Sequence, residues 1–250
     1  MARLRLTQAL VASDVAAYRK ATQSAFLRDA ARGEVSKHLL GRWLANDRLY
    51  IHGYIKGVGR LLSFLSLPEA VPEARAERKT PATRLLSWMI DALVNIRREE
   101  AFFVDTAAAF GIPLEGLRRF EALFDGLAPG DSGVLPWLEC AVVYYGTERC
   151  YLDAWSYARS HLKSDADVSG DLDGGAVRRE FIPNWTSAEF VTFVDELGDI
   201  IDDAVDQQVA LHGESIRSDL MERSLVQWRA LLAAEEAFWH VTEGRDADCC

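Results

Sequence analysis

The chain has 250 residues, of which 49% are hydrophobic and 26% charged. This composition is sufficient for a packed core and excludes disorder as the main state. Its 28 basic and 38 acidic residues give a net charge of −10, which disfavours binding to nucleic acid or to anionic membranes. The sequence contains no apolar run of roughly 20 residues and no signal-peptide pattern, so we expect a cytoplasmic protein without a membrane partner.

The cysteines and histidines indicate neither a disulfide framework nor a metal site. The cysteines form no CxxC pair, and the five histidines form no pair at ligand spacing. Glu99 is followed at i+4 by Phe103 rather than by a histidine. We therefore expect no metal and no cofactor, and a reducing compartment. The four cysteines are Cys140, Cys150, Cys249 and Cys250.

Helical periodicity dominates the whole chain, and the alternating pattern of strands is nearly absent. We predict a single all-α domain over residues 1–250, with about seven or eight helices. Thr80 and Ser187 are suitable N-cap residues, and Pro81 suits a first helical position. A flexible insert is expected near 163–175 and a polar tail at 242–250. The predicted helical segments are 8–32, 35–67, 81–109, 114–126, 134–161, 187–211 and 213–241.

Helical spacing groups the candidate site residues into three sets. In the first, Asp47, Tyr50 and Tyr54 stand at i, i+3 and i+7 and share one face of the first long helix. The position of a carboxylate among apolar side chains requires an explanation, and ligand binding is one. The alternative is that Asp47 pairs at the surface with an arginine such as Arg42 or Arg48.

The second set combines a thiol and a phenol, because Cys140 and Tyr144 stand at i and i+4. Free cysteine is among the most buried residue types, so spacing alone leaves a packing role open. The position of Cys140 one turn after a helix start favours a lowered thiol pKa, since the positive end of a helix stabilises a thiolate.

The third set combines a carboxyl group and an aromatic ring, because Glu235 and Phe238 stand at i and i+3. If Phe238 and Trp239 are buried, one of the adjacent glutamates must face the interior, and Glu235 lies on the Phe238 side. A carboxyl group buried beside aromatic rings has a raised pKa and suits general-acid chemistry. The alternative is that Glu235 and Glu236 both lie at the solvent boundary.

The segments around these sets resemble the TenA/thiaminase II family. Residues 24–34 look like its opening element, and residues 43–50 (WLANDRLY) are similar to its aspartate-bearing helix. Residues 138–144 (LECAVVY) look like the segment with the nucleophilic cysteine, and residues 235–239 (EEAFW) like the closing Glu-x-x-Phe-Trp motif. The resemblance covers roughly residues 20–240. It implies one heme-oxygenase-like helical bundle, commonly assembled as a homotetramer.

The resemblance also implies an activity, the hydrolysis of aminopyrimidines related to thiamin at a C–N bond, in thiamin salvage. Asp47 would hold the aminopyrimidine, Cys140 would attack the ring, and Glu235 would act as acid and base. Tyr144 would orient the thiolate. No metal or cofactor is implied. The aromatic walls of the substrate site would be Tyr50, Phe238, Phe120 and Trp185.

Two departures from the family pattern favour alternatives. Phe120 and Trp185 stand where family members usually have tyrosines, so the aromatic faces are kept while the hydroxyl groups are lost or altered. A non-hydrolytic ligand-binding or regulatory protein would fit these changes, as would a tailoring enzyme with another substrate on the same fold.

An acidic cluster on the predicted helix 187–211 could suggest cation binding. Its members spread around several faces of the helix, which favours a solvated surface. The cluster consists of Asp195, Glu196, Asp199, Asp202, Asp203 and Asp206.

Overall fold

The computed structural model describes residues 4–67, 80–113, 121–130, 133–163 and 167–240. In these ranges the chain forms α-helices and one π-helical turn (Val177–Phe181), without a strand, so the predicted all-α class is confirmed. None of these helices is both long enough and apolar enough to cross a bilayer. The α-helices are α1 (Leu6–Ser13), α2 (Val15–Thr22), α3 (Ala25–Ala31), α4 (Lys37–Phe64), α5 (Pro81–Phe110), α6 (Glu121–Asp125), α7 (Leu138–Ser160), α8 (Ile182–Trp185), α9 (Ala188–His212) and α10 (Ser215–His240).

The long helices follow the predicted segments closely, because their start signals are local. The side chain of Thr80 accepts a hydrogen bond from Thr83 N, and that of Ser187 accepts one from Phe190 N. Both residues are therefore the predicted N-caps. The predicted segment 8–32 is divided into three short helices, α1 to α3. The predicted segment 114–126 is described only from Glu121 onwards, so residues 114–120, with Phe120, lie outside the described residues.

Helix α7 lies at the centre of the bundle and packs against α2, α3, α9 and α10, while α4 packs against α5 and α6. Gly146 permits the close approach of α10, because a Cβ atom there would overlap the side chain of Leu231. Indole rings fill the interior around Trp43, which is stacked on Trp239 at 6.2 Å and meets Trp155 edge-on at 5.5 Å. Burial of such large rings is a major stabilising contribution to the bundle.

Within the insert predicted near 163–175, residues 167–175 form a hydrogen-bonded loop. The carboxylate of Asp173 is buried and accepts hydrogen bonds from Gly175 N and Val177 N, both at 2.8 Å. Asp171 accepts from Arg178 Nη1 at 3.0 Å, in an ion pair whose two side chains are both buried. The acidic residues of this loop thus hold it in place. The C-terminal tail 242–250 lies outside the described residues.

The acidic cluster of α9 is not the uniformly solvated surface that the sequence predicted. Asp202 is buried and accepts hydrogen bonds from Thr7 N at 3.0 Å and Thr7 Oγ1 at 2.6 Å. Arg5 donates to Asp199 at 3.0 Å and to Asp203 at 2.7 Å. The prediction failed because the partner groups come from the distant N-terminal segment, which this cluster anchors to α9.

Candidate functional site

Four carboxyl groups from four helices meet in the interior of the bundle. They influence one another electrostatically, and burial raises the pKa of each. Two of them, Asp47 and Glu235, were predicted from the sequence. The four are Asp47 on α4, Glu99 on α5, Glu148 on α7 and Glu235 on α10.

Asp47 lies in the core rather than in a surface ion pair, since only 4% of its surface is exposed. Its Oδ2 accepts a hydrogen bond from the hydroxyl of Tyr151 at 3.0 Å. Burial raises the pKa of Asp47 well above its usual value, and the charges of Glu99 and Glu148 raise it further, while the Tyr151 hydrogen bond acts in the opposite direction. The carboxyl group therefore retains its proton to a higher pH than an exposed aspartate does.

Glu235 faces the interior, which confirms the prediction for this residue against the alternative of a solvent-boundary position. It is 4% exposed, and both Phe238 and Trp239 are buried beside it. Burial raises the pKa of Glu235 well above its usual value, and the charges of Asp47 and Glu148 add to the effect. Its neighbour Glu236 points outward and forms an ion pair with Lys20 at 3.3 Å.

Glu99 and Glu148 were missed by the sequence analysis. Burial raises the pKa of Glu99 to about 7, although its carboxylate accepts a hydrogen bond from the indole N–H of Trp185. Burial and the charge of Glu99 raise the pKa of Glu148 to about 8, against a hydrogen bond from Tyr54. A signal was present, because Glu148 follows Tyr144 at i+4 and precedes Tyr151 at i+3 on one face of α7.

Two adjoining cavities border three of these carboxyl groups, and Glu235 lines neither cavity. The outer cavity has a volume of about 340 Å³, and the inner void about 20 Å³. Ile96, Glu99 and Glu148 line both, so they form the boundary between the two spaces. The inner void is comparable to a single water molecule, so only the outer cavity has room for a ring. The inner void is also lined by Asp47, Tyr50, Ile51 and Tyr151. Aromatic residues of the outer cavity are Tyr54, Phe102, Trp185, Phe190 and Phe193.

The predicted aromatic walls have different positions. Tyr50 lines the inner void, and Trp185 lines the outer cavity. Trp185 is stacked on Phe181, with ring centroids 5.2 Å apart. Phe238 is buried against Trp43 at 6.0 Å and lines neither cavity. Phe120, the fourth predicted wall, lies outside the described residues.

Cys140 lines neither of the two cavities. Its Sγ donates a hydrogen bond to the carbonyl oxygen of Ala128 at 3.4 Å. Burial and the charge of Glu139 raise the pKa of the thiol to about 12, so the predicted lowering of this pKa is wrong. The cause is that burial and a neighbouring carboxylate outweigh the favourable end of α7. The charge of Glu235 raises the pKa of a different thiol, that of Cys150.

Tyr144 is next to Cys140, but its hydroxyl has another partner. It donates a hydrogen bond to the carbonyl oxygen of Tyr54 at 3.0 Å. Its ring is completely buried between α7 and α4, where Gly57 leaves room for the hydroxyl. In this structure Tyr144 thus links two helices, and its predicted role toward the thiolate requires a change of hydrogen-bond partner.

Comparison with solved structures supports the resemblance stated above. A TenA homologue from Pyrococcus furiosus matches with a TM-score of 0.67 and 20% identity, over 95% of this chain and 99% of that one. A TenA family transcription regulator from a Silicibacter species gives 0.69 and 13%, over 96% and 97%. A TenA homologue from P. horikoshii gives 0.66 and 16%, over 95% and 99%. The chain therefore has the all-α fold of the TenA homologues.

Comparison by sequence shows less about the relationships of the chain than comparison by structure does. No family model matches the chain. A curated protein of Fusarium pseudograminearum, named "Probable transcription factor", is 23% identical over 228 residues, which cover 78% of this chain and 44% of that protein. The chain thus matches less than half of the length of this relative.

Proposed function

We propose that the protein is a hydrolase of C–N bonds in planar aminopyrimidines related to thiamin. The observation that carries the proposal is the convergence of four carboxyl groups with raised pKa values in a chain with the TenA fold. Two of the four, Glu99 and Glu148, line an aromatic-walled cavity. Carboxyl groups that hold a proton near neutral pH can donate it to a leaving amine and later activate water.

The cavity volumes constrain where the substrate binds. A pyrimidine ring fits the outer cavity of about 340 Å³ and not the inner void of about 20 Å³. The ring would lie on Trp185, with Tyr50 and the carboxyl group of Asp47 reached through the inner void. Asp47 would accept N–H groups of the aminopyrimidine in place of the Tyr151 hydroxyl. This arrangement keeps the predicted role of Asp47 and requires Tyr151 to move.

The chemical step follows the resemblance and requires a rearrangement of the site, because neither Cys140 nor Glu235 lines the cavity that has room for the ring. The sulfur of Cys140 adds to an electron-poor ring carbon, and the electron pair moves onto a ring nitrogen. The C–N bond at the exocyclic methylene then breaks, and Glu235 donates its proton to the departing amine. Water adds to the methylene carbon, Glu235 takes the released proton, and the carbon–sulfur bond breaks to restore the thiol. Before the attack, the Cys140 thiol must leave the Ala128 carbonyl. Its proton passes to the ring nitrogen that receives the electron pair and returns to the sulfur when the carbon–sulfur bond breaks.

The proposal is tested by incubating the protein with 4-amino-5-aminomethyl-2-methylpyrimidine or with thiamin, and measuring released ammonia or thiazole. We expect Cys140→Ser to abolish turnover and Glu235→Gln to reduce it about 10²- to 10⁴-fold. Cys150→Ser makes the same change on the same helix, at a thiol whose pKa is raised by the charge of Glu235. Comparison of the two variants therefore separates loss of the Cys140 nucleophile from disturbance of the acid–base group. Full activity of Cys140→Ser would reject the covalent mechanism, and no product from either substrate would reject the activity.

A second candidate is a non-hydrolytic protein that binds or senses a pyrimidine-like ligand. The state of Cys140 favours it, because a thiol with a pKa of about 12 that donates to a carbonyl oxygen is poorly prepared for attack. The expected result is a ligand-dependent rise in melting temperature without product. Either candidate would form a homotetramer according to the resemblance, and sedimentation of the purified protein tests that assembly.

A further inference from the structure

An arginine of α10 holds the start of α7, the helix that carries Cys140. The Arg223 guanidinium donates to both carboxylate oxygens of Glu139, from Nε at 2.7 Å and from Nη2 at 2.8 Å. It also donates to the carbonyl oxygens of Val134 at 2.9 Å and Leu135 at 3.2 Å. The two charged side chains are 15% and 13% exposed, and a forked, partly desolvated ion pair of this kind fixes the geometry of both partners. We call these four hydrogen bonds the Arg223 clamp.

The backbone that the clamp holds is strained. Leu135 has a φ of 47°, and within the described ranges no other residue except glycine has a positive φ. This conformation is unfavourable for a residue with a Cβ atom, so it persists only where surrounding contacts impose it. The Leu135 carbonyl oxygen accepts hydrogen bonds from Arg223 and, at 3.0 Å, from Leu138 N, at the first residue of α7. Loss of the clamp would therefore allow the turn before α7 to relax.

The clamp also lies against the segment that covers Cys140. Gly130 packs so closely on the ion pair that a Cβ atom there would overlap Arg223 Nη2 and Glu139 Oε1, each at 2.6 Å. Two residues before Gly130, the Ala128 carbonyl oxygen accepts the hydrogen bond of the thiol. Ala128 is itself exposed, although only 1% of Cys140 is. The thiol therefore lies just beneath the surface, next to a segment that packs on the clamp.

We propose that Arg223 is a positioning residue for the Cys140 thiol, because its contacts hold the start of α7 so that the thiol stays against the Ala128 carbonyl and out of solvent. Arg223 acts through Glu139 and through the strained turn at Leu135. This role concerns access to the thiol rather than the molecule with which the thiol reacts, so it goes beyond the proposed function. In the hydrolase, Arg223 would also govern the departure of Cys140 from Ala128, and this consequence alone rests on the proposed function.

The test is the rate at which iodoacetamide alkylates Cys140 in Arg223→Gln at pH 8, because two effects of this change have opposite signs. The charge of Glu139 raises the pKa of the thiol, and without its arginine this charge would slow alkylation, since the thiolate is the reactive species. Loss of the clamp would instead expose the thiol and speed alkylation. We expect alkylation at least about tenfold faster than in the native chain, because loss of one or two net hydrogen bonds shifts a local opening equilibrium by about that factor.

Two comparisons separate the clamp from a general loss of stability. Cys150 is buried further along α7, and its alkylation in the same sample should change by less than about twofold. Arg217→Gln is the matched control, because Arg217 lies on the same helix as Arg223, is similarly buried at 17% exposure and also forms ion pairs. This variant should alkylate at Cys140 within about twofold of the native rate.

Arg223→Lys keeps the positive charge but has no fork and fewer donors, so its Cys140 rate should lie between those of Arg223→Gln and the native chain. Slower or unchanged alkylation of Cys140 in folded Arg223→Gln, checked by circular dichroism, would overturn the proposal, as would equal acceleration at Cys140 and Cys150. If Arg223→Gln does not fold, an unchanged Cys140 rate in Arg223→Lys would overturn it.

These measurements contain no pyrimidine, so their failure is distinct from a failure of the proposed hydrolysis. Faster alkylation of Cys140 in Arg223→Gln, with no ammonia or thiazole released by the native chain, would support the clamp and reject the hydrolase.

Discussion

The hydroxyl of Tyr151 donates to Asp47 Oδ2 at 3.0 Å and links α7 to α4 beside the inner void. Because Asp47 is buried, loss of this donor leaves an acceptor without compensation. We expect Tyr151→Phe to lower the free energy of unfolding by about 1–3 kcal/mol, measured by urea denaturation. We also expect the pKa of Asp47 to rise further, since this hydrogen bond opposes the effect of burial.

Tyr157→Phe, on the same helix, is a control for Tyr151→Phe. It removes a hydroxyl from a partly exposed tyrosine and should change stability by less than about 0.5 kcal/mol. An equally small effect of Tyr151→Phe would show that the hydrogen bond to Asp47 makes no net contribution to the unfolding free energy.

Stability should fall as the pH rises toward 8, because of Glu99 and Glu148. Their pKa values are raised in the folded chain from 4.5 to about 7 and about 8. The folded state therefore binds more protons than the unfolded state above pH 4.5, and its unfolding free energy decreases until each folded pKa is passed. The loss is on the order of 5 kcal/mol for Glu148, because each pKa unit between 4.5 and about 8 corresponds to about 1.4 kcal/mol.

The measurement is a series of urea denaturations between pH 5 and pH 9. Glu148→Gln cannot ionise at this position, so its stability should decrease less over that interval than that of the native chain. Glu189→Gln, an exposed change on the cavity rim, should keep the native slope. If the unfolding free energy of Glu148→Gln decreased with pH as steeply as that of the native chain, Glu148 would not be protonated in the folded state.

The fold was predictable from the sequence because its determinants are local. Thr80 with Pro81, and Ser187, define two helix starts within the chain segments themselves. The positions of Asp47 and Glu235 were also predictable, since each shares a helical face with aromatic or apolar residues. Local patterns are enough to place these residues in the interior.

The environment of the site was not predictable, because it depends on which distant helices meet. Glu99 and Glu148 are 49 residues apart in sequence, and nothing near either residue indicates that their charges interact. The thiol pKa of Cys140 depends on the Ala128 carbonyl and on burial by other helices, which the position of Cys140 in its own helix does not reveal.

Gly57 should be intolerant of a side chain, because a Cβ atom there would overlap the Tyr144 hydroxyl. Gly57→Ala would displace this hydroxyl from the Tyr54 carbonyl or separate α4 from α7. We expect a loss of about 1–3 kcal/mol in unfolding free energy, beyond the small gain that alanine brings to a helix. Gly59→Ala on the same helix is the control, since its Cβ would meet open space.

The double variant Gly57→Ala, Tyr144→Phe tests the cause. Removal of the hydroxyl makes room for the new methyl group, so the two changes together should cost less than the sum of the single changes, by about 0.5–2 kcal/mol. Strict additivity would show that the cost of Gly57→Ala has another source.

Cys140 should react slowly with alkylating reagents in the native chain. Its pKa of about 12 leaves little thiolate at neutral pH, and only 1% of the residue is exposed. Because the thiolate is the reactive species, we expect iodoacetamide to modify Cys140 at least about 100-fold more slowly than in the urea-unfolded chain. Mass spectrometry of the peptide containing Cys140 gives both rates. Rapid alkylation in the folded chain would instead show an ionised, accessible thiol, and would strengthen the covalent mechanism over the non-hydrolytic candidate.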